Sequence, residues 1–206
     1  MSDYKVILKH YESCLEKYGD THKGVDWPNY GDAVKRYEVM LDLVKTNEQS
    51  NTLLDFGCGA AHLYEYILNN KIEGIEYSGL DLSQKFIELC KKKYPMIKFY
   101  LVDILKEGSQ VPDFDYVIMN GVFTEKRELS FDEMFEYFKQ MVKTVYKKTK
   151  KGVAFNVMSK HVDWERDDLF HLPFDTLANF LTGEVSRNFV FRNDYGLYEY
   201  TTYIYK

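Results

Sequence analysis

Between Thr52 and Lys160 the chain alternates short apolar runs with segments of helical period. The runs are TLLDF from Thr52, GIEYSGLDL from Gly74, IKFYLVDI from Ile97, FDYVIMNGVF from Phe114 and KGVAFNVMSK from Lys151. The early ones are almost wholly apolar. Strands of that kind are buried on both faces, which requires a parallel sheet with helices above and below it. Helices are predicted at His62–Asn70, Ser83–Tyr94 and Ser130–Thr149, the last two opening on serine caps. A shorter helix follows at Pro173–Leu181, with proline in the favourable first turn. Glu184–Asp194 and Leu197–Lys206 alternate polar and apolar residues and meet at Tyr195-Gly196, which predicts a terminal antiparallel hairpin. The expected fold is α/β: a Rossmann-like, seven-stranded, mostly parallel sheet with a C-terminal antiparallel hairpin and helices on both faces.

Two helices precede the alternation. One is predicted at Tyr4–Tyr18. The other, at Tyr30–Thr46, places Val34, Tyr37, Met40, Leu41 and Val44 on one face. The stretch between them is dense in Gly, Asp and Asn and reads as a loop. With 206 residues, 45% of them hydrophobic, the chain suits one domain with one substantial core. Residues 1–50 are expected to form a helical cap, and 51–206 the α/β core.

Charge narrows the partners. The net charge is −5, and the densest basic cluster, Cys90–Tyr94, falls in the last turn of a helix, where it complements the dipole. A nucleic-acid partner is disfavoured. No apolar run is long enough to span a membrane, and the charged N-terminus does not read as a signal peptide. Cys14, Cys58 and Cys90 suit neither a disulfide framework nor a CxxC metal site. A reduced, cytoplasmic protein without a metal is expected. ERDDLF at Glu165–Phe170 lacks regular ligand spacing and reads as a solvated loop.

The first strand runs into the turn Gly57-Cys58-Gly59 and then a helix. Ligands of open parallel sheets sit at such a place, beyond the C-terminal strand ends, and glycine lets them approach the backbone. Asp81 ends the second strand at about the spacing, roughly 20 residues, from which a carboxylate meets ribose hydroxyls. The dinucleotide fingerprint is nevertheless incomplete, because His62 stands where its third glycine belongs. Asp55, just before the turn, would repel a pyrophosphate and suits a cation or an amino group. An adenosine cofactor without phosphates and with positive charge meets these conditions, and S-adenosylmethionine (SAM) is one.

These residues resemble the class I SAM-dependent methyltransferases. LLDFGCG looks like their first motif, and GLDLS like the second, with Asp81 and Leu82 near the ribose. LVDI looks like the third, which implies that Asp103 and Ile104 meet the adenine. FDYVIMNGVF looks like the fourth-strand motif, which implies Asn120 and Gly121 beneath the methionine part. Arg36 is implied at the cofactor carboxylate. The likeness is tighter to small bacterial enzymes carrying a GVDW loop, an NGVF motif and a closing tail like that of Asp194–Lys206. Some of these are associated with surface-polysaccharide or capsule biosynthesis. That resemblance implies methylation of a small anionic precursor, a phosphoramidate precursor such as L-glutamine phosphate among them.

On this reading Trp27, Tyr30, Phe123, Tyr195 and Tyr198 are candidates for the acceptor pocket. Sheet packing is the ordinary role for the last two tyrosines. His62, His161 and His171 are candidate bases, though most such histidines are structural. Three alternatives stand beside the leading one: a methyltransferase of sugar nucleotides or other metabolites, a NAD-dependent short-chain oxidoreductase, and a SAM-binding partner without turnover.

Overall fold

The computed structural model describes residues 4–45, 50–107 and 110–206. Helix α1 (Lys5–Tyr18), a 3-10 turn (His22–Val25) and α2 (Tyr30–Leu41) precede the sheet. The sheet elements follow in order: β1 (Asn51–Phe56), α3 (His62–Asn69), β2 (Ile75–Asp81), α4 (Gln84–Lys93), β3 (Lys98–Leu101), α5 (Ile104–Glu107) and β4 (Phe114–Phe123). Then come α6 (Phe131–Lys147), β5 (Thr149–Met158), α7 (Phe174–Glu184), β6 (Phe189–Arg192) and β7 (Glu199–Tyr205).

The seven strands lie in the order β3-β2-β1-β4-β5-β7-β6. β1 pairs in parallel with both β2 and β4, whereas β7 runs antiparallel to β5 and β6. The mostly parallel sheet and its reversed final strands are those expected from the sequence. Strand order changes direction between β1 and β4, and a crevice opens there at the C-terminal strand ends.

Each face of the sheet carries its own core. Phe123, Phe138, Phe155 and Met134 pack on one side, and Tyr37, Met40, Leu43 and Ile118 on the other. Burying a side chain of this size contributes about 1.5–3 kcal/mol. α6 begins with a complete capping box, Ser130 with Glu133, and α4 is capped by Ser83 onto the Phe86 N–H.

Three boundaries differ from the sequence expectation. α2 stops at Leu41, yet Leu43 and Val44 beyond it remain buried. The apolar period there records burial rather than continued helix, and Thr46, the predicted end, lies outside the described residues. β3 ends at Leu101, because Asp103 Oδ1 accepts the Leu105 N–H at 3.2 Å and starts the short α5. α7 runs on to Glu184, so β6 is confined to Phe189–Arg192. Among the described residues no helix is long and apolar enough to cross a membrane.

Candidate active site

The glycine turn is fixed from below by backbone bonds. Gly57 N and Cys58 N both donate to the Leu80 carbonyl, at 2.7 and 3.0 Å. Gly57 has φ +73°, and a Cβ on it would lie 2.7 Å from Val122 Cγ2. Only glycine fits that position. Asp81 ties the turn to the next helix: Oδ2 accepts from Gly59 N at 2.9 Å and Oδ1 from Ser83 N at 2.8 Å. Each oxygen retains a lone pair for a further donor. Burial raises the Asp81 carboxyl above the ordinary range, against the opposing effect of those N–H groups.

A cavity opens over this turn. Its walls include Asp55, Gly57, Gly59, Asp81, Leu82 and Asn120. Its described lining holds two carboxylates and no Lys or Arg, a polarity suited to a cation and unsuited to a pyrophosphate. Asp55 is 3% exposed and accepts the Tyr77 hydroxyl at 2.7 Å. Burial pushes its carboxyl up to about 7, although the Tyr77 bond opposes this. Asn120 Oδ1 is buried without a hydrogen-bond partner. A buried acceptor left unpaired costs about 1–3 kcal/mol, so this atom is poised for a donor from a ligand.

The opposite wall is built by side chains distant in sequence. From α1 come Tyr4, Ile7, Leu8 and Tyr11, and the Tyr11 hydroxyl donates to the Gly121 carbonyl at 3.0 Å. Trp27 lies against Gly121, which has φ +77° and whose Cβ would sit 2.7 Å from the Trp27 Cζ2. Arg36 stacks on Trp27 at 4.1 Å from the ring centroid. The Arg36 guanidinium pairs with Glu199, with Nε and Nη2 2.8 and 2.7 Å from Oε2. Glu199 is 1% exposed and also accepts from Asn156 Nδ2 at 2.9 Å. Asn156 Oδ1 accepts Gly121 N at 2.7 Å, which closes the network.

The predicted residues therefore separate. Asp55, Gly57, Gly59, Asp81, Leu82, Asn120, Trp27 and His62 line one cavity. Arg36 is outside that lining, because the buried Glu199 carboxylate holds it. Asp103 is outside it as well, bound to the Tyr4 hydroxyl and to Lys106 Nζ at 2.8 Å. Ile104 is buried in the core. Phe123, wholly buried, packs its ring on Phe138 at 4.8 Å and belongs to the core rather than to a pocket wall. Tyr30 and Tyr198 are 64% and 60% exposed, and Tyr198 donates to Asp163. Tyr195 stands behind the wall, its hydroxyl 3.0 Å from Thr201 Oγ1 and 3.4 Å from Glu199.

The histidines separate too. His171 is buried with Nδ1 2.6 Å from the Ser159 carbonyl, while Nε2 accepts the Arg166 N–H at 3.2 Å. Both ring nitrogens are thus committed to the loop, and neither is left to serve as a base. His161 is exposed and stacks on Phe174. His62 pairs with Asp20 at 2.9 Å, and burial lowers its pKa. Tyr11 and Glu199 were not among the sequence candidates. Glu199 had one signal, an acid inside the otherwise aromatic and β-branched run from Tyr198 to Tyr205. Nothing set Tyr11 apart from the other tyrosines.

The family comparison agrees with this geometry. Residues 54–153, which hold the glycine turn, Asp81 and Asn120, match a family model described as a methyltransferase domain. That match covers just under half of the chain. Rv1506c of Mycobacterium tuberculosis strain H37Rv, a protein named as a methyltransferase, is 23% identical over 164 residues, covering 74% of this chain and 91% of its own. Solved methyltransferases share the fold. The magnesium protoporphyrin IX methyltransferase of Synechocystis PCC 6803, determined with bound SAM, superimposes with a TM-score of 0.69 at 14% identity, covering 100% of this chain and 98% of that one. The plantazolicin methyltransferase BamL gives a TM-score of 0.64 at 14% identity over 99% of both chains. The domain match and the shared fold together support a SAM-dependent methyltransferase.

Proposed function

We propose that this methyltransferase domain, cap and sheet acting as one unit, binds SAM in the glycine-turn cavity and methylates a small anionic metabolite. The observation that carries the cofactor reading is the lining itself: two buried carboxylates and an unpartnered Asn120 Oδ1 around a glycine turn. On this reading Asp81, whose oxygens each retain a lone pair, accepts from the ribose hydroxyls. Asp55 and Asn120 Oδ1 are acceptors suited to the cofactor's cationic end. When bound, SAM supplies a methyl group already activated by its sulfonium, and the chain aligns the acceptor and keeps water out.

An alcohol or amine acceptor requires a base, whereas a phosphate or carboxylate oxygen requires almost none. His161 and His171 stand outside the cavity lining, and His62 is held by Asp20 with a lowered pKa. This favours an anionic oxygen as nucleophile. Trp27, held flat by Arg36, forms the acceptor-side wall with Tyr11. The sequence resemblance adds a polysaccharide precursor bearing a phosphoryl group, such as L-glutamine phosphate, whose oxygen needs almost no base.

The test is a screen of phosphorylated amino acids, sugar phosphates and sugar nucleotides with SAM, read by mass for the gain of one methyl group. Methylation of phosphorylated amino acids or sugar phosphates on an acidic oxygen is the expected result. Methylation confined to neutral hydroxyls or amines would contradict the anionic-acceptor reading.

A further inference from the structure

A second group of ligand-type side chains lies on the outer side of the cap. His10 and Cys14 stand one helical turn apart on α1 and so share a face. Asp26 reaches them from the end of the 3-10 turn, where it adopts a left-handed conformation at φ 62° and its N–H is held by the Lys23 carbonyl at 3.1 Å. Asp26 Oδ2 is 2.7 Å from His10 Nε2, and Cys14 Sγ is 3.9 Å from the same nitrogen. One donor atom from each of the three residues lies within 4.8 Å of the others. All three side chains are partly exposed, so an ion could enter from solvent.

We propose that His10, Cys14 and Asp26 form a binding site for a thiophilic divalent cation of the zinc class. Imidazole, thiolate and carboxylate are the donors such an ion takes, and three protein ligands leave a fourth position for water. Tetrahedral bonds of about 2.0–2.3 Å place donors roughly 3.3–3.6 Å apart. From spacings of 2.7 Å, 3.9 Å and at most 4.8 Å, shifts of about 0.3 to 1.2 Å reach that range. Binding displaces the Cys14 thiol proton to solvent and leaves the imidazole proton on Nδ1. The nearby Arg127 does not present an uncompensated charge, since it pairs with Glu125 at 3.2 Å and Asp168 at 3.3 Å.

The site has a structural consequence. His10 precedes Tyr11, and Asp26 precedes Trp27, the two residues that flank Gly121 on the acceptor side of the cavity. A bound cation clamps α1 to the Trp27 loop and so fixes that wall. The sequence expectation of no metal rested on cysteine spacing and on the irregular ligand spacing of Glu165–Phe170. Neither criterion registers a site of the proposed kind, whose third ligand arrives from another turn.

The clamp is tested on the full chain by zinc titration against a competing chelator, with cobalt(II) as a spectroscopic probe. One equivalent should bind, and the cobalt form should show a thiolate-to-metal charge-transfer band. Cys14→Ser should remove the band and weaken zinc binding by about 100-fold or more. Asp26→Asn, which keeps the hydrogen bond to His10, should weaken it by about tenfold or more and gives the answer if the serine variant does not fold. Zinc should raise the melting temperature of the wild type but not of Cys14→Ser. The proposal is overturned if the wild type binds no zinc at micromolar concentration, or if either folded variant retains full affinity. It stands or falls independently of methyl transfer, because no reading depends on SAM.

Discussion

The two walls of the cavity are made in opposite ways. The glycine-turn wall is local: Asp55, Gly57, Gly59 and Asp81 belong to two adjacent strands and the turn between β1 and α3, and backbone N–H groups hold them. The opposite wall is assembled from far apart. Tyr11 bonds a carbonyl 110 residues away, and Arg36 a carboxylate 163 residues away. The first wall needs only short-range geometry, whereas the second forms only when the cap and the final strand are both in place. On the proposed function, the same difference separates the cofactor side of the cavity from the acceptor side.

The largest expected effect falls on the long-range wall. Glu199→Ala leaves Arg36 without its buried partner, which costs about 3 kcal/mol. For a chain of this size that lowers the melting temperature by roughly 6–12 °C. Cofactor affinity measured well below the transition should stay within about twofold, because the glycine wall is independent of it. A fall of less than about 2 °C would show that the Arg36–Glu199 pair does not hold the wall.

Asp81→Ala probes the local wall. Loss of charge-assisted hydrogen bonds to the ribose should weaken binding of S-adenosylhomocysteine by roughly 1–3 kcal/mol in calorimetry. Unchanged affinity in a folded variant contradicts the ribose role. Asn120→Ala has a smaller and more specific signature. Its Oδ1 has no partner in the protein, so the ligand-free melting temperature should hold or rise, while affinity falls by about 1 kcal/mol. Equal losses of stability and affinity would instead mark Asn120 as part of the scaffold.

The smallest effect on binding is a pH dependence. The Asp55 carboxyl is raised to about 7 in the folded chain, so the folded state holds this proton more tightly than the unfolded state. Its contribution to stability is full below the ordinary carboxylate range and is lost as pH rises through about 7. Binding of a cationic ligand shows the reverse trend and should tighten about threefold as Asp55 ionises. Asp55→Asn should flatten both profiles, and an unaltered slope would assign them to another group.

The same division governs how much was legible in the sequence. Strand order aside, the sheet could be read from its apolar runs, and the glycine turn with Asp55 and Asp81 from contiguous motifs. Those features depend on neighbours in the chain. Arg36 and Asp103 were visible as charged residues at suggestive positions, but their partners were not. A buried Glu199 claims the first, and Tyr4 with Lys106 claims the second. Phe123 shared its motif with Asn120, yet strand alternation turns its ring into the core. His171 looked like a base until the loop used both of its nitrogens.

The most direct measurement is the thermal transition of the full chain with S-adenosylhomocysteine and, separately, with NAD. At a ligand concentration of about 100 times Kd, S-adenosylhomocysteine should stabilise the chain by about 2.7 kcal/mol, a rise of roughly 5–11 °C. NAD at the same concentration should leave the transition where it is. Stabilisation by NAD with no response to S-adenosylhomocysteine would contradict the assignment of this cavity to SAM.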